Sequence, residues 1–179
     1  MNVPERYRLP FAAATSLIVV VVVGTAILLL NRPGPSPVVS PTPTALVSPS
    51  LDLTTPEGAV RAFFDALGSA RRTDDASLLE GLVTSKDSSA YLTAAGFLDG
   101  QRAVGKASVL TENDITDVSV GVNGTRATVT FRHRQVGYDI DLKTGQPRES
   151  PTVLPVASVR AVVVQSGGRW LVDSFENVP

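Results

Sequence analysis

An α+β domain held to a membrane by one N-terminal helix is the architecture this sequence predicts, and three observations predict it. A run of 22 residues without a charge, residues 9–30, lies near the start. A segment carrying six prolines follows it. After Thr55 the apolar residues recur first at helical spacing and then at every second position.

The uncharged run contains Leu17, Ile18 and the five valines 19–23. As a helix it is about 33 Å long, enough to cross a hydrocarbon core of about 30 Å. Valine is a mediocre helix former in water, but in lipid every backbone amide must pair within its own segment. Arg6 and Arg8 precede the run and only Arg32 follows closely. The positive-inside bias therefore puts residues 1–8 in the cytoplasm, a transmembrane helix at 9–31 and the remainder outside the plasma membrane. A cleaved signal peptide is the competing expectation, because Gly24, Thr25 and Ala26 form a small-residue cluster. Cleavage there would leave Ile27 and three leucines as an apolar N-terminus, and the run exceeds the usual signal core. A retained anchor is the better expectation.

Residues 32–55 carry Pro33, Pro35, Pro37, Pro41, Pro43 and Pro49 among serines and threonines. Such a composition buries no core and favours an extended linker, reaching up to about 75 Å at roughly 3.1 Å per residue. A plain spacer is the simpler expectation; a glycosylated passage through a cell-wall layer is the richer one.

Residues 56–179 form the folded domain. Thr55, Pro56 and Glu57 supply a capping hydroxyl, a first-turn proline and an acid at the positive dipole end. Val60, Phe63, Phe64 and Leu67 then mark one buried helix face. A second short helix is expected over 74–83, with Leu78, Leu79, Leu82 and Val83 inward. A third is expected over 88–98, with Tyr91, Leu92, Ala95 and Leu98 clustered.

Beyond Lys106 the period becomes two. Asn123-Gly124 signals a type I′ hairpin pairing Val122 with Thr125, Val120 with Ala127 and Val118 with Val129. Burial of the valine face sets the register, since a one-residue slip inverts every side chain. A second hairpin is expected at Gly167-Gly168, with Val159, Ala161, Val163, Trp170 and Val172 on the core face. Val162, Val164, Leu171 and Phe175 then fall on the outer face beside Arg160 and Asp173. Parity also changes between Phe131 and Val136, Tyr138 and Ile140, which predicts a bulge near Gln135 or Gly137. Helices followed by a bent antiparallel sheet give an α+β layer structure.

The opening stretch from Thr55 through Val60, Phe63 and Phe64 to Leu67 resembles the start of a nuclear-transport-factor-two-like domain. The closing stretch from Gly167 through Trp170 to Phe175 resembles its end. The resemblance covers roughly residues 55–178 and implies a cone: a curved sheet wrapping a long N-terminal helix around a pocket. It also resembles, in plan, small bacterial membrane-anchored versions in secretion, conjugation and envelope-transport assemblies. The superfold hosts enzymes, binders and scaffolds, so it does not specify activity.

Composition narrows the function classes. The domain has 13 basic and 15 acidic residues, which is no footprint for nucleic acid. The absence of cysteine excludes disulfides, thiol catalysis, thiolate metal sites and a lipidated N-terminal cysteine. His133 is the single histidine, and parity with Phe131 turns it to the concave side. Enzymes resembling this fold place a histidine or an acid with a tyrosine in the pocket, which makes His133, Tyr91 and Tyr138 the pocket candidates, with Asp139 nearby. General acid–base catalysis needs two groups of separated pKa, and one histidine between Arg132 and Arg134 is more simply an inert rim residue. No catalytic residue, cofactor or metal is therefore assigned; Asp139 and Asp141 lack the rest of a calcium loop. Asn123-Gly124-Thr125 matches a glycosylation acceptor, but a tight turn explains it. The charge run 71–75 reads as a solvated inter-helix loop.

These observations lead to a non-enzymatic, membrane-tethered extracytoplasmic interaction or assembly module. A small-ligand binder using the cone pocket comes second and an isomerase- or dehydratase-like enzyme third. The expected partners are membrane lipid around residues 9–31 and, at Val162, Val164, Leu171 and Phe175, a second copy or an envelope protein.

Overall fold

The computed structural model describes residues 52–179. The expected membrane helix and nearly all of the proline-rich linker lie outside these residues. No helix among the described residues is long and apolar enough to cross a membrane.

Helix α1 spans Pro56–Thr73, and Thr55 caps it by accepting a hydrogen bond from the Gly58 N–H at 3.0 Å. Val60, Phe63, Phe64 and Leu67 are all buried, as the spacing predicts. The helix ends at Asp74, whose φ of 56° reverses the chain and whose N–H bonds the Ala70 carbonyl.

The second expected helix is only a 3₁₀ turn, Ala76–Leu79, capped by Asp75. Gly81 at φ +83° ends it. Leu82 and Val83 are buried not from a helix but from an extended run that bonds the edge of the last strand. Helix α2 spans Ser89–Ala103, with Ser88 as cap, and ends five residues later than expected, where Gly105 at φ +67° stops it. Its buried side is Ala90, Ala94, Leu98 and Gln101; Leu92 is 58% exposed instead of inward. The domain thus has two helices and one helical turn, not three helices.

Strands β1 (Lys106–Asn123), β2 (Arg126–Asp141), β3 (Thr152–Val153), β4 (Ala157–Ser166) and β5 (Arg169–Val178) make one antiparallel sheet in the order β1-β2-β4-β5. The short β3 pairs β2 at Val136 and Gly137. The pairing of the first hairpin is shifted by two residues from the expected register, with a loop of the same length. Asn123 pairs Arg126 and Val122 pairs Ala127, around a Gly124-Thr125 loop. Only Gly124 in that loop has positive φ, which matches a II′ pattern and not I′. A two-residue shift preserves parity, so the predicted face survives. The second hairpin turns at Gly167-Gly168 as expected, both at positive φ.

Three irregularities bend the sheet. Two lie in β1, at Leu110/Glu112 and Thr116/Ser119, the latter with Asp117 at φ 52°. The first is opposite Gly137, where the sequence places a bulge, but the extra residue belongs to β1. A Cβ on Gly137 would lie 2.5 Å from the Val109 carbonyl oxygen, so glycine is what lets the strands approach there. Strand β2 keeps its alternation throughout. The third irregularity sits between Val162 and Val163, where β5 carries Asp173 as an extra residue.

Candidate functional site

The concave face of the sheet closes on α1 through an aromatic cluster. The Phe64 ring meets Phe131 at 5.2 Å, Phe175 at 5.5 Å and His133 at 4.9 Å, mostly edge to face. Such rings pack as core, each pair adding about 0.5–1.5 kcal/mol beyond burial. The interior that the resemblance describes as a pocket is filled here.

Phe175 is one of the rings, and that corrects its expected place on the outer face. The extra residue at Asp173 flips parity, so Phe175 pairs Ala161 and lies 5.5 Å from the Phe63 ring. Val162, Val164 and Leu171 remain on the opposite side and are half-buried. Tyr138 is corrected as well. Because β2 alternates without a break, a residue five positions from His133 faces the other side of the sheet. Tyr91 packs against the core from α2, and among the described residues no hydrogen bond joins it to His133. The three pocket candidates therefore do not converge.

Other polar groups meet His133 instead. His133 is buried, 7% exposed, and its Nε2–H donates to Asn113 Oδ1 at 2.8 Å. Gln135 Nε2 donates to the same oxygen at 3.2 Å, and Arg71 Nη1 donates to Gln135 Oε1 at 3.4 Å. Asn113 Nδ2 in turn donates to the Phe64 carbonyl and to Asp65 Oδ1. These bonds orient both amides and assign His133 the neutral Nε2–H tautomer. Burial pulls its pKa down to about 4, the Arg71 charge pulls the same way, and Asp114 opposes them. The ring is neutral near pH 7, and the amides and guanidinium beside it do not exchange protons there. Hydrogen bonding is what this cluster can do.

Arg71 is the group the sequence reading missed. It belongs to the last turn of α1 and not to a loop, half-buried with its guanidinium carbon 4.5 Å above the Phe97 ring. The signal was present: Arg71 follows Phe64 by seven residues and Leu67 by four, on the buried stripe. At the far end of β2, Asp139 accepts from Lys106 at 2.5 Å and Ser108 at 2.7 Å, a structural pair that no cofactor is needed to explain.

Two grooves flank α1. One, of about 680 Å³, runs past Gly58, Arg61, Ala62, Asp65 and Ala66 to Val120 on β1. The other, of about 510 Å³, reaches Asn113, Ile115, Arg132, Arg134 and Val156. Beside the first, a valine row on the concave side of the β1–β2 hairpin runs outward. Val118 packs on the core, whereas Val120 is 40% and Val122 59% exposed.

No protein-family model and no curated protein matches the sequence. Solved structures do match the described domain. The intermembrane-space region of the chloroplast protein ARC6 aligns at TM-score 0.53 and 18% identity, over 73% of this chain and 98% of that one. A candidate dehydratase of the NTF2-like family from Streptomyces avermitilis aligns at 0.47 and 16%, over 68% and 91%. An NTF2-like protein from Novosphingobium aromaticivorans aligns at 0.43 and 18%, over 68% and 80%. At these identities the likeness is one of fold alone: a long capped helix wrapped by a bent antiparallel sheet.

Proposed function

We propose that the chain is a membrane-tethered interaction module, displaying its C-terminal domain outside the membrane on a proline-rich linker. The observation that carries this reading is the valine row beside the α1 groove. Val120 and Val122 expose apolar side chains at the free end of a hairpin. A contiguous apolar surface rimmed by charge is the usual mark of a partner site. Arg61 and Asp65 supply that rim on the groove. The packed concave interior, with Phe64 at its centre, weighs against a large ligand chamber. Val162, Val164 and Leu171 offer a second, flatter surface on the other side of the sheet.

The fold shared with the intermembrane-space region of ARC6 is in keeping with a domain working beside a membrane. Photo-crosslinking in intact membranes tests the module directly. A crosslinker at Val122 of the full chain should give a discrete higher-mass product, while one at the exposed Thr93 on α2 should give none. Equal labelling from both positions overturns the surface, and no product from Val122 or Leu171 overturns the interaction role.

A further inference from the structure

The two edges of the sheet differ in what meets them. Extended stretches engage β5: the Trp170 N–H bonds the Leu53 carbonyl, the Val172 N–H bonds the Leu82 carbonyl, and the Thr84 N–H bonds the Val172 carbonyl. Strand β1 pairs with β2 alone, and its two bulges distort the edge as far as Ser119. From Ser119 to Asn123 the pairing is regular and every residue is exposed. Asn123 and Arg126 flank a two-residue loop and so form a hydrogen-bonded pair, and alternate residues turn their backbone groups the other way. Val120 and Val122 therefore point their N–H and C=O groups outward from the sheet, and among the described residues these groups have no backbone partner. Native edges are usually blunted by a charge, a proline or a bulge. The stretch Ser119-Val120-Gly121-Val122-Asn123 has none of them.

Val120 also lines the groove of about 680 Å³ beside α1, and Val122 follows it on the same face of the strand. Gly58, Ala62, Ala66 and Ser69 make the helix wall of that groove, and their small side chains keep it open. Its charge is negative. Asp52, Glu57 and Asp65 line it against a single cation, Arg61, which Glu57 already neutralises at 2.8 Å. Asp117 adds an exposed carboxylate in the bulge just before the free edge. An extended backbone fits this edge, apolar side chains fit the valines, and positive charge fits the rim.

We propose that β1 takes up, along Ser119–Asn123, an extended segment of a partner protein with apolar residues at alternate positions and lysine or arginine at its ends. The segment adds as a further strand. Its backbone pairs with Val120 and Val122, its apolar side chains cover the two valines, and its cations lie by Asp52, Asp65 and Asp117. A second copy of β1 would arrive with acidic flanks of its own, Asp114 and Asp117, and supply no counter-charge. This binding mode rests on the interaction role of the valine row and gives its partner a chemistry.

The test uses the full chain in micelles of an uncharged detergent, with the capped peptide Lys-Val-Thr-Val-Thr-Val-Lys as probe. Backbone amide NMR should show Val120 and Val122 shifting saturably and exchanging more slowly with solvent, while Gly121, already bonded to β2, exchanges as before. The same peptide with glutamate in place of lysine should bind about tenfold or more weakly at low salt. N-methylation of the peptide's valines should abolish binding, and so should Val122→Lys, at a position 59% exposed. No saturable shift, or a response that survives N-methylation or Val122→Lys, overturns strand addition. Crosslinking from Val122 in membranes without any peptide response keeps the interaction role and rejects this mode alone. Edge amides already protected without peptide overturn it as well: protection that grows with protein concentration marks a second copy, and protection independent of concentration marks a segment of this chain.

Discussion

His133 on β2 and Asn113 on β1 meet diagonally across the ladder, and the 2.8 Å bond between Nε2 and Oδ1 ties the single histidine to α1 through the Phe64 carbonyl. Burial and the Arg71 charge hold the ring neutral, and that has a pH signature. In the unfolded chain the imidazole titrates near 6.5, whereas in the folded domain it titrates at about 4. Below pH 6.5 the unfolded state takes up the proton first, so stability falls as pH drops from about 6.5 to about 4. The loss is on the order of 3 kcal/mol. Urea denaturation at stepped pH should show this slope, and His133→Gln should flatten it. Asp139 and Asp141, whose pKa values are lowered, act below that window, as acidification protonates them. An unchanged slope in His133→Gln would show that the ring is not the titrating group.

Phe175 and Leu171 should respond oppositely to substitution, although both were expected on one face. Phe175→Ala removes a ring in contact with Phe63 and Phe64 and should cost about 3–5 kcal/mol. Leu171→Lys changes a half-buried outer position and should cost under about 1 kcal/mol. Thermal denaturation of the two variants checks the pair, and a tolerated Phe175→Ala would place the ring outside the core.

Trp170, 5% exposed, should behave like Phe175, with Trp170→Ala costing about 3–5 kcal/mol. Its backbone N–H bonds the Leu53 carbonyl at 2.8 Å, so it also fastens the segment leading into α1. Proteolysis just before Thr55 should speed up in this variant. Unchanged cleavage would mean that the segment is held by other contacts.

The start of α1 makes a sharper steric prediction. A Cβ on Gly58 would lie 2.1 Å from the Asp52 carbonyl oxygen and 2.8 Å from the capping Thr55 Oγ1. Gly58→Ala should therefore destabilise by about 1–3 kcal/mol despite alanine's better helix propensity. Thr55→Ala should cost about 1 kcal/mol by removing the cap alone. A stabilised Gly58→Ala in chemical denaturation would refute the close approach.

What was legible in the sequence was local. The Thr55 cap, the stripe Val60–Phe63–Phe64–Leu67, the Gly167-Gly168 turn and the inward set Val159 to Val172 each rest on spacing within one element, and each is where the pattern places it. What was illegible depends on insertions that spacing cannot assign to a strand. The extra residue opposite Gly137 could sit on β1 or β2, and its being on β1 turns Tyr138 away from His133. The extra Asp173 in β5 turns Phe175 inward. The polar cluster was hidden for a related reason. Asn113, Gln135 and Arg71 lie on three elements, and only the Arg71 position on the helical stripe hinted at burial.

Which side of the membrane the domain occupies tests the proposed role most directly. Protease added to intact spheroplasts should digest residues 56–179 and leave a membrane-embedded N-terminal fragment that begins at Met1. A domain fully protected until the membrane is broken would contradict the orientation, and a mature N-terminus near Ile27 would contradict the tether.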